Sequence, residues 1–589
     1  MTPIATPELA GRYGSDDYLP RVKRLFQEAR DGNEEARREA LIDRDYFDGY
    51  QLTAEERRVL QARKQPDVVF NRIRPAILGI AGVWKMGQND PRAYPRNPQD
   101  QDASDVASKV LRYCADQTGW HDKRVDCALD YLIEGITAVE VAVDDDGRIE
   151  VQPVGFEEFF YDPRSRQPDF ADARFLGVAK WMFADDVTAR WPQAADSIGA
   201  AFESFGIADT FNDRPDDLTG WTDAKRRRVF VVEMYHKEGT EWMRCVFWGA
   251  GILDRGLSAY VDERGRTVCP IVARSCFIDR DNRRYGTVRD LRGPQDEINK
   301  RRSKLLHLVS MRQVRAVDSV AVETAADIVR SEAARPDGVL PPGWDVVSVA
   351  DMTSGQASLL SEAKSEIERM GPSPAVLAQQ SASASGRAQM IRQRAGMTEH
   401  AVIFAGLERF ELSVYRAMWS RVRQFWRAPM YIRVTDDNSA PQFVGINQPV
   451  MGPQQIMAGP DGMPMVGRPV LGYQNSVAEM DVDLVLDATP DTATLAAEEF
   501  EALVQLAQAG VAIPPELLIE ASTLPNKGKL VERMRAMAEA PNPQAEIAAR
   551  QAEASVSRLE AEAALTAARA QSASFGAMLD GMAAGAAAG

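Results

Sequence analysis

Two short acidic stretches contain residue types that bind metal ions. Residues 279–286 read DRDNRRYG and begin like a calcium-binding loop, but Arg283 occupies a ligand position and Arg284 replaces the turn glycine. The twelfth position holds Asp290 instead of glutamate. Residues 144–147 read DDDG, a sequence that also suits the turn of a β-hairpin. We therefore expect both stretches to be polar turns and predict no metal site.

The sequence lacks the common motifs of hydrolytic enzymes. The stretch PNKGKLVERM contains Gly–Lys but lacks the upstream glycine through which a phosphate-binding loop holds its ligand. Neither a GxSxG nucleophile elbow nor an HExxH zinc motif is present. The sequence therefore predicts no catalytic activity and no cofactor.

Cysteine and histidine are few and scattered. The cysteines form no CxxC pair and their number is odd, which argues for a reducing compartment and against a disulfide framework or a zinc site. The histidines are far apart in sequence, which favours structural roles. These residues are Cys114, Cys127, Cys245, Cys269, Cys276, His121, His236, His307 and His400.

Length and charge limit the possible functions. A chain of 589 residues, 45% of them hydrophobic, predicts a folded protein with several domains. Its formal net charge of -16 contrasts with the basic surface of proteins that hold DNA through phosphates, so any contact with nucleic acid should be local, weak or transient. No apolar run approaches the ~18 residues of a membrane span, and the N-terminus lacks the apolar region of a signal peptide. We expect a soluble protein made in a cytoplasm.

One predicted helix, residues 285–313, has a narrow apolar stripe. It reads YGTVRDLRGPQDEINKRRSKLLHLVSMRQ, in which Leu291, Ile298 and Leu305 recur every seven residues. Leu308 and Val309 extend this stripe. Such a pattern is typical of a helix packed beside other helices, rather than one that covers a broad core.

The same helix concentrates positive charge in an acidic protein. Four of the five residues from 300 to 304 are basic: Lys300, Arg301, Arg302 and Lys304. Asp296 and Glu297 precede Lys300 and Arg301 by four residues, the favourable order for ion pairs on a helix. Two interpretations remain open: a solvated helix stabilised by these pairs, or a helix in a ring of copies whose charges face neighbours or a central channel.

The region before this helix is predicted to mix helices and strands. Apolar spacing predicts helices over residues 17–63, 72–87 and 102–137. From residue 138 the apolar residues alternate, which predicts a β-hairpin whose turn contains Asp146 and Gly147. Further strands are expected in RRRVFVVEMYHKE and EWMRCVFWGAGILDRG.

The region after it begins with a small insertion and a second helix. Residues 314–350 are predicted to hold strands and a short helix, followed by a helix over 356–370, a polar loop and a long helix over 386–426. Strands are expected in MYIRVTD, QFVGIN and MDVDLVLDAT, and the Gly-, Pro- and Met-rich residues 448–472 should form an exposed loop or hairpin. Helices are predicted over 492–538 and from 541 to about 570, before a disordered end.

This order of elements, together with four motifs, resembles the portal proteins of tailed double-stranded DNA bacteriophages, specifically the short-tailed podovirus type. The resemblance spans residues 18–538, and the ordered set of motifs is more specific than any one of them. The motifs are YGTVRDLRGPQDEINKRRSKLLHLVS, ARPDGVLPPG, SGRAQMIRQRAGMTEHAVIFAGLERFELSVYRAMW, and FVGIN followed by DVDLVLDATPDTATLAAEEFEAL.

The resemblance implies the portal fold, an α+β fold with wing, stem, clip and crown regions that is mainly helical, with mixed β-sheets in wing and clip. The implied regions are the N-terminal wing (1–278), first stem helix (279–313), clip (314–350), second stem helix (351–371), tunnel loop (372–385), long wing helix (386–428), returning wing strands with the Gly/Pro/Met loop (429–490), crown helices (491–540), and an Ala-rich C-terminal helix with a disordered end (541–589).

The resemblance also implies roles for individual residues. Lys300, Arg301, Arg302 and Lys304 fall on the first stem helix, beside the DNA channel. The tunnel loop contains Gln379, Gln380, Ser381 and Ser383, with Arg387 and Arg392 just after it. The clip, which docks the terminase and later the tail, contains Arg335, Pro336, Asp337 and Gly338.

The implied function is a ring, usually of twelve subunits, at the unique vertex of the virion capsid. The ring is assembled in the host bacterial cytoplasm without a membrane, and the genome is packaged and later ejected through it. Its implied partners are other copies of the chain, the terminase large subunit, head–tail adaptor and tail proteins, the major capsid and scaffolding proteins, and double-stranded DNA in the channel. An acidic subunit suits this role, because tight phosphate binding would stall moving DNA.

Two other functions remain possible from the sequence. The first is another phage head–tail connector or assembly protein, although such proteins are generally shorter and lack a helix–insertion–helix arrangement. The second is a nuclease whose carboxylates converge on a metal ion only after folding. The C-terminus also departs from relatives with a long helical barrel, because few large apolar residues follow Pro543.

Overall fold

The computed structural model describes most of the chain. The described residues are 17–63, 65–86, 89–96, 101–208, 220–310, 314–317, 327–329, 331–333, 335, 338–346, 350–370, 400–435, 441–458, 464–488, 503, 514, 519 and 543–586. They belong to two compact units, residues 1–434 with 441–489, and residues 435–440 with 490–589.

Helices occupy much of the described part of the chain. They are α1 Tyr18–Gly32, α2 Glu34–Asp48, α3 Ala54–Ala62, α4 Ile73–Met86, α5 Gln101–Thr118, α6 Trp120–Ile133, α7 Ala184–Arg190, α8 Ala195–Ala208, α9 Val288–Ser310, α10 Ala350–Met370, α11 Ala401–Phe425 and α12 Pro543–Ala586. The start of α3 shows how local sequence sets a boundary: the Thr53 side chain accepts a hydrogen bond from the Glu56 amide, and the Glu56 carboxylate accepts one from the Thr53 amide.

Strands fill much of the remainder of the first unit. They are β1 Asn89–Pro95, β2 Ile136–Val143, β3 Ile149–Val154, β4 Phe159–Tyr161, β5 Phe175–Phe183, β6 Thr222–Asp223, β7 Arg228–Glu238, β8 Glu241–Phe247, β9 Ile252–Leu257, β10 Ile271–Ser275, β11 Phe277–Ile278, β12 Arg284–Tyr285, β13 Val314–Ala316, β14 Trp344–Val346, β15 Met430–Thr435, β16 Pro441–Ile446, β17 Gln448–Met451, β18 Gln455–Ala458, β19 Pro464–Gly467, β20 Val470–Gln474 and β21 Val482–Ala488. This mixture of helix and strand confirms the predicted α+β class.

The largest described sheet has the strand order β4-β5-β7-β8-β9, with β6 paired to β7. A three-stranded sheet has the order β10-β2-β3. Its β2–β3 hairpin confirms the prediction, because Gly147 in the turn has φ +81°, a backbone conformation that glycine adopts without strain. Two-stranded sheets pair β1 with β21, β11 with β12, β13 with β14, β15 with β16, β17 with β20 and β18 with β19.

Helix α11 lies at the centre of one hydrophobic core. Phe410, Val414, Met418 and Val422 on this helix are buried together with residues of α5 and of strands β2, β3, β15, β16 and β21. Gly406 permits close approach of this helix to α6, because a Cβ at this position would lie 2.1 Å from the Tyr131 hydroxyl. The apolar side predicted for this helix is confirmed.

A second core surrounds α9. Val288, Leu291 and Ile298 pack with apolar residues of α4, α6, α10 and α11. The start of α9 is fixed against the last turn of α6, where the Thr287 amide donates to the Leu132 carbonyl at 2.8 Å. Gly286 makes this approach possible, since a Cβ there would lie 2.3 Å from the same oxygen.

Several predicted boundaries differ from the structure. The helix predicted over 17–63 is three helices, α1 to α3, since the chain leaves the helical conformation at Asn33 and again at Gly49, whose φ is +98°. The second helix of the helix–insertion–helix arrangement begins at Ala350, before residue 356. Helix α11 is described from Ala401, and the predicted residues 386–399 of that helix lie outside the described residues.

The Gly-, Pro- and Met-rich segment forms a hairpin, which was one of its two predicted forms. Strand β17 pairs with β20 and β18 pairs with β19, so the two chain segments run side by side. Strand β1 was not predicted. Pro91 and Pro95 lie within it, and it is paired on one side only, with β21, among the described strands.

The described part of the second unit is mainly α12. This helix has 44 residues and continues through Ala586, beyond the predicted end near residue 570. Alanine has the highest helix propensity, so the Ala-rich sequence remains helical where we expected disorder. The crown helices predicted over 491–540 lie almost entirely outside the described residues.

Candidate functional site

The apolar side of α9 is as narrow as the sequence predicts. Leu291 and Ile298 are buried, and Leu305 is partly buried against the same core. The side chains of Leu308 and Val309 lie outside the described residues. Helix α9 packs along α10, which buries its own narrow stripe of Leu360, Ala363 and Ile367. The two helices therefore pack against each other and the core through narrow apolar stripes.

A polar stripe on α9 was not predicted. Gln295, Asn299 and Ser303 recur every four residues and are buried. The Gln295 amide group donates to the Phe70 carbonyl at 2.8 Å, and the Phe70 amide donates to Asn299 Oδ1 at 3.0 Å. Ser303 Oγ donates to the Pro66 carbonyl at 2.5 Å.

These hydrogen bonds hold an irregular segment, residues 66–72, along α9. The Arg72 amide donates to Gln295 Oε1 at 2.9 Å, and Asn299 Nδ2 donates to Gln51 Oε1 at 2.7 Å. Buried polar groups of the segment therefore find partners on the helix, as folding requires. The four-residue spacing of polar residues was the only sequence signal of this contact.

Ion pairs fix the first turns of α9. Arg292 contacts two carboxylates of α2, that of Glu39 at 2.7 Å and that of Asp43 at 3.1 Å. Asp43 is completely buried, and this burial raises the pKa of its carboxyl group to about 7. Because Glu39 accepts a hydrogen bond from Arg292, its pKa is lowered. The positive charge of Arg292 is therefore balanced by carboxylates of the same subunit.

The basic block divides into two exposed and two partly buried side chains. Lys300 and Lys304 are exposed, whereas Arg301 and Arg302 are partly buried. Lys300 Nζ lies 3.9 Å from Asp296, and Arg301 pairs with Glu297, so both predicted ion pairs form.

The two arginines make further contacts inside the subunit. Arg301 donates to Gln356 of α10 at 3.3 Å. The guanidinium of Arg302 lies 5.0 Å from the centre of the Phe70 ring, a cation–π distance. Of the four basic side chains of this block, the two lysines are therefore the exposed ones.

An open cleft of about 490 Å³ lies along α9, where Gln356 of α10 borders it. Its lining combines both lysines with the acidic partners of the basic block. The lining residues are Gly293, Asp296, Glu297, Lys300, Arg301, Lys304 and Gln356. The mixed charge and the open shape suit a surface that meets other macromolecules more than they suit an enclosed ligand site.

The insertion between α9 and α10 is closed by the β13–β14 ladder. Val314 pairs with Val346, and the Val317 amide donates to the Gly343 carbonyl at 2.8 Å. The two ends of the insertion thus meet beside the helix pair. Arg335 is exposed and contacts Glu332 at 3.1 Å. Gly338 lies where a Cβ would be 1.9 Å from the Glu332 carbonyl, so this position requires glycine.

Several predicted site residues lie outside the described residues. In the insertion these are Pro336 and Asp337. The whole predicted tunnel-loop set also lies there: Gln379, Gln380, Ser381, Ser383, Arg387 and Arg392.

The calcium-like stretch is a turn. Asp279 Oδ1 accepts hydrogen bonds from the amides of Asp281 and Arg283 at 3.0 and 2.8 Å, and its Oδ2 lies 3.4 Å from Arg289. Within the described ranges, no group of three or more histidine, cysteine or acidic residues is arranged to hold a metal ion. Among the described helices, none is long and apolar enough to cross a membrane.

Comparisons with known proteins relate this chain to phage portal proteins. A family model described as "Phage P22-like portal protein" matches residues 23–579. A portal protein of Helicobacter pylori bacteriophage KHP30 is 21% identical over 306 residues, which are 49% of this chain and 46% of that protein. The chain thus spans about half the length of the curated relative that it matches.

Proposed function

Because this chain belongs to the phage P22-like portal protein family, we propose that its copies form a ring at one vertex of a phage capsid and conduct the genome through a central channel. The predicted family is thereby confirmed. The family is structural, so the proposed role is to bind and guide other macromolecules, and the chain itself performs no catalysis.

The packing of α9 and α10 is the observation that carries this proposal. Each helix buries a narrow apolar stripe within the subunit, and α9 also buries a polar stripe, but both helices keep exposed side chains. Lys300 and Lys304 are exposed on α9, whereas Glu362 and Glu366 are exposed on α10. Exposed groups of opposite charge on two helices of one subunit can complement each other between neighbouring copies in a ring, where each contact joins different surfaces.

The proposal assigns a region of the portal fold to each part of the chain. Helices α9 and α10 are the stem, and residues 314–349 between them are the clip. The wing contains residues 1–278, α11 and the strands from β15 to β21. Residues 371–399 contain the tunnel loop, residues 491–540 the crown helices, and α12 follows them.

The proposed partners follow from this assignment. The clip, including residues 335–338, docks the terminase large subunit and later the head–tail adaptor and tail proteins. The wing contacts the major capsid and scaffolding proteins. Twelve copies form the ring, which is assembled in the bacterial cytoplasm and remains in the virion. Duplex DNA passes the stem in both packaging and ejection.

Imaging and a deletion test this proposal together. Residues 318–342 can be removed with little strain, because the Val317 amide already lies 2.8 Å from the Gly343 carbonyl. We expect electron microscopy of both proteins to show rings with a central channel, and we expect only the full chain to bind the terminase. A protein that remains monomeric at every concentration, with or without scaffolding protein, contradicts the proposal. Terminase binding that survives the deletion contradicts the clip assignment.

A further inference from the structure

A second basic cluster lies far in sequence from α9. Lys225, Arg226 and Arg227 are consecutive and exposed in the turn between β6 and β7. Arg227 has φ +49°, an uncommon conformation for a residue with a side chain. In a chain with net charge -16, three adjacent exposed cations form a local surface of opposite sign.

Two exposed aromatic side chains adjoin this turn. Phe183, at the end of β5, is directly opposite Arg228 in the β5–β7 ladder, and the Ala184 amide donates to the Arg227 carbonyl at 2.9 Å. Phe183 is 58% exposed and Trp181 is 39% exposed. Because residues two apart on a strand share a face, both rings lie on the same side of the sheet.

The remainder of this sheet face is covered by α1. Phe26 of α1 packs against Phe230, with ring centres 6.2 Å apart, and contributes to the core beneath it. Trp181 contacts the same Phe230 ring at 5.1 Å but remains partly exposed. Among the described residues, the aromatic pair is therefore the part of this sheet face that α1 does not cover.

The acid of the same turn, Asp223, is already bound, whereas Asp185 and Asp186 in the first turn of α7 are exposed. Asp223 accepts a hydrogen bond from Arg228 at 2.8 Å and another from the Arg226 amide at 3.2 Å. The side chains of residues 225–227 thus present their charge beside the aromatic pair. We call the surface formed by Trp181, Phe183 and residues 225–227 the aromatic–basic patch.

We infer that the aromatic–basic patch docks an acidic segment of a partner polypeptide, in which an apolar residue anchors on Phe183 and Trp181 while carboxylates pair with residues 225–227. Tryptophan and arginine are enriched at the centres of protein interfaces, and complementary charge fixes partner and register. This docking function does not depend on the proposed channel.

The patch favours an acidic polypeptide over nucleic acid. Three cations release few counterions, so they bind a phosphate backbone weakly at physiological salt, and the net charge of the chain repels a long polyanion. The Trp181 ring offers only part of its surface for base stacking, since the Arg228 guanidinium lies 5.5 Å from its centre and Phe230 packs beside it.

The test measures binding of labelled probes to the full chain by fluorescence anisotropy. The main probe is an Asp/Glu-rich peptide of roughly twelve residues that contains one leucine and one phenylalanine. One control peptide has Asn and Gln in place of the acids, and another has alanine in place of both apolar residues. Oligo(dT) and a short DNA duplex serve as nucleic-acid probes.

Two variants of the patch are compared with a control of equal charge change. We expect the triple change Lys225→Glu, Arg226→Glu, Arg227→Glu to weaken binding of the main probe by about tenfold or more, and Phe183→Ser to weaken it several-fold without a charge change. The triple change Arg57→Glu, Arg58→Glu, Arg63→Glu, at exposed positions in and just after α3, should leave binding unchanged. Circular dichroism checks that each variant is folded.

Three outcomes overturn the inference. The first is equal binding of the acidic and the Asn/Gln peptides, and the second is unchanged binding by the Phe183→Ser variant. In the third, an oligonucleotide binds more tightly than the peptide and loses affinity in the Lys225–Arg227 variant, which identifies a nucleic-acid surface instead. Peptide binding that is lost in the patch variants while rings still form supports the inference independently of the channel.

Discussion

Helices α9 and α11 have similar lengths, 23 and 25 residues, but different surroundings. Helix α11 is buried along most of its sides, and its core contacts include Leu407, Val414 and Trp419. Helix α9 buries a narrow apolar stripe and a polar stripe, while Lys300 and Lys304 remain exposed.

The two helices are held in position by different kinds of contact. Apolar burial supplies most of the contacts that hold α11, beside the buried ion pair of Glu411 with Arg124. Hydrogen bonds and ion pairs to α2 and to residues 66–72 hold α9, and these contacts have strict geometry. A helix held in this way keeps an exact orientation while its other sides stay free for partners.

The largest effect is expected from the buried ion pair of α11. Glu411 and Arg124 are almost completely buried and lie 3.2 Å apart, and Arg124 also donates to the Trp84 carbonyl at 2.9 Å. Replacement of Glu411 by Gln leaves a buried charge without its counterion, so the free energy of unfolding should fall by about 3–5 kcal/mol. Urea denaturation of the monomer measures this change.

The matched control for this variant is Glu408→Gln on the exposed side of α11. We expect it to change the free energy of unfolding by less than about 0.5 kcal/mol. Equal effects of the two variants would show that α11 does not owe its position to its buried surroundings.

An intermediate effect is expected from the polar stripe of α9. Asn299→Ala leaves the Phe70 amide and the Gln51 side chain without their partner, which should cost about 2–3 kcal/mol. Hydrogen exchange at the Phe70 amide should accelerate more than exchange in α11. The control Gln356→Ala removes only a contact to Arg301 at 3.3 Å and should leave Phe70 protected. An unchanged exchange rate at Phe70 in the Asn299 variant would contradict this account of how α9 is held.

A smaller, pH-dependent effect is expected from Asp43. Burial raises its pKa to about 7, above the value of ~3.9 in an unfolded chain. The folded state therefore binds this proton more tightly than the unfolded chain does. The resulting contribution of Asp43 to the free energy of unfolding is fully present below pH ~4 and is lost as the pH rises toward 7. Between about pH 5.5 and 7.5, wild type should lose about 1–2 kcal/mol of stability relative to Asp43→Asn. If the free energies of unfolding of the two proteins change in parallel with pH across this range, the pKa of Asp43 is not raised.

The sequence predicted features that depend on near neighbours and missed those that depend on distant ones. Alternation and an Asp-Gly turn predicted β2 and β3, and four-residue spacing predicted the pairs of Lys300 and Arg301. The contact of Asn299 with Phe70 joins residues 229 apart, so the four-residue spacing of polar residues on α9 does not reveal which segment they bind. Strand β1 was missed because its prolines disfavour strands, and its partner β21 stabilises it from far along the chain.

Replacement of Lys300 and Lys304 should have the smallest effect on the stability of the monomer and the largest effect on ring assembly. Lys300→Glu with Lys304→Glu removes one ion pair of 3.9 Å at a surface where such pairs contribute about 0.3–0.5 kcal/mol, so monomer stability should change little. If the side of α9 that carries Lys300 and Lys304 contacts neighbouring subunits or DNA, the same variant should fail to form rings or to package DNA. The control Arg148→Glu with Arg264→Glu reverses two exposed charges elsewhere and should retain both. The two lysines are better positions for this test than Arg301. Because Arg301 also contacts Glu297 and Gln356, its replacement would change monomer stability and ring assembly together. If the lysine variant forms normal rings and packages DNA normally, the exposed lysines of α9 have no role in assembly, and α9 is a solvated helix held only by its buried residues.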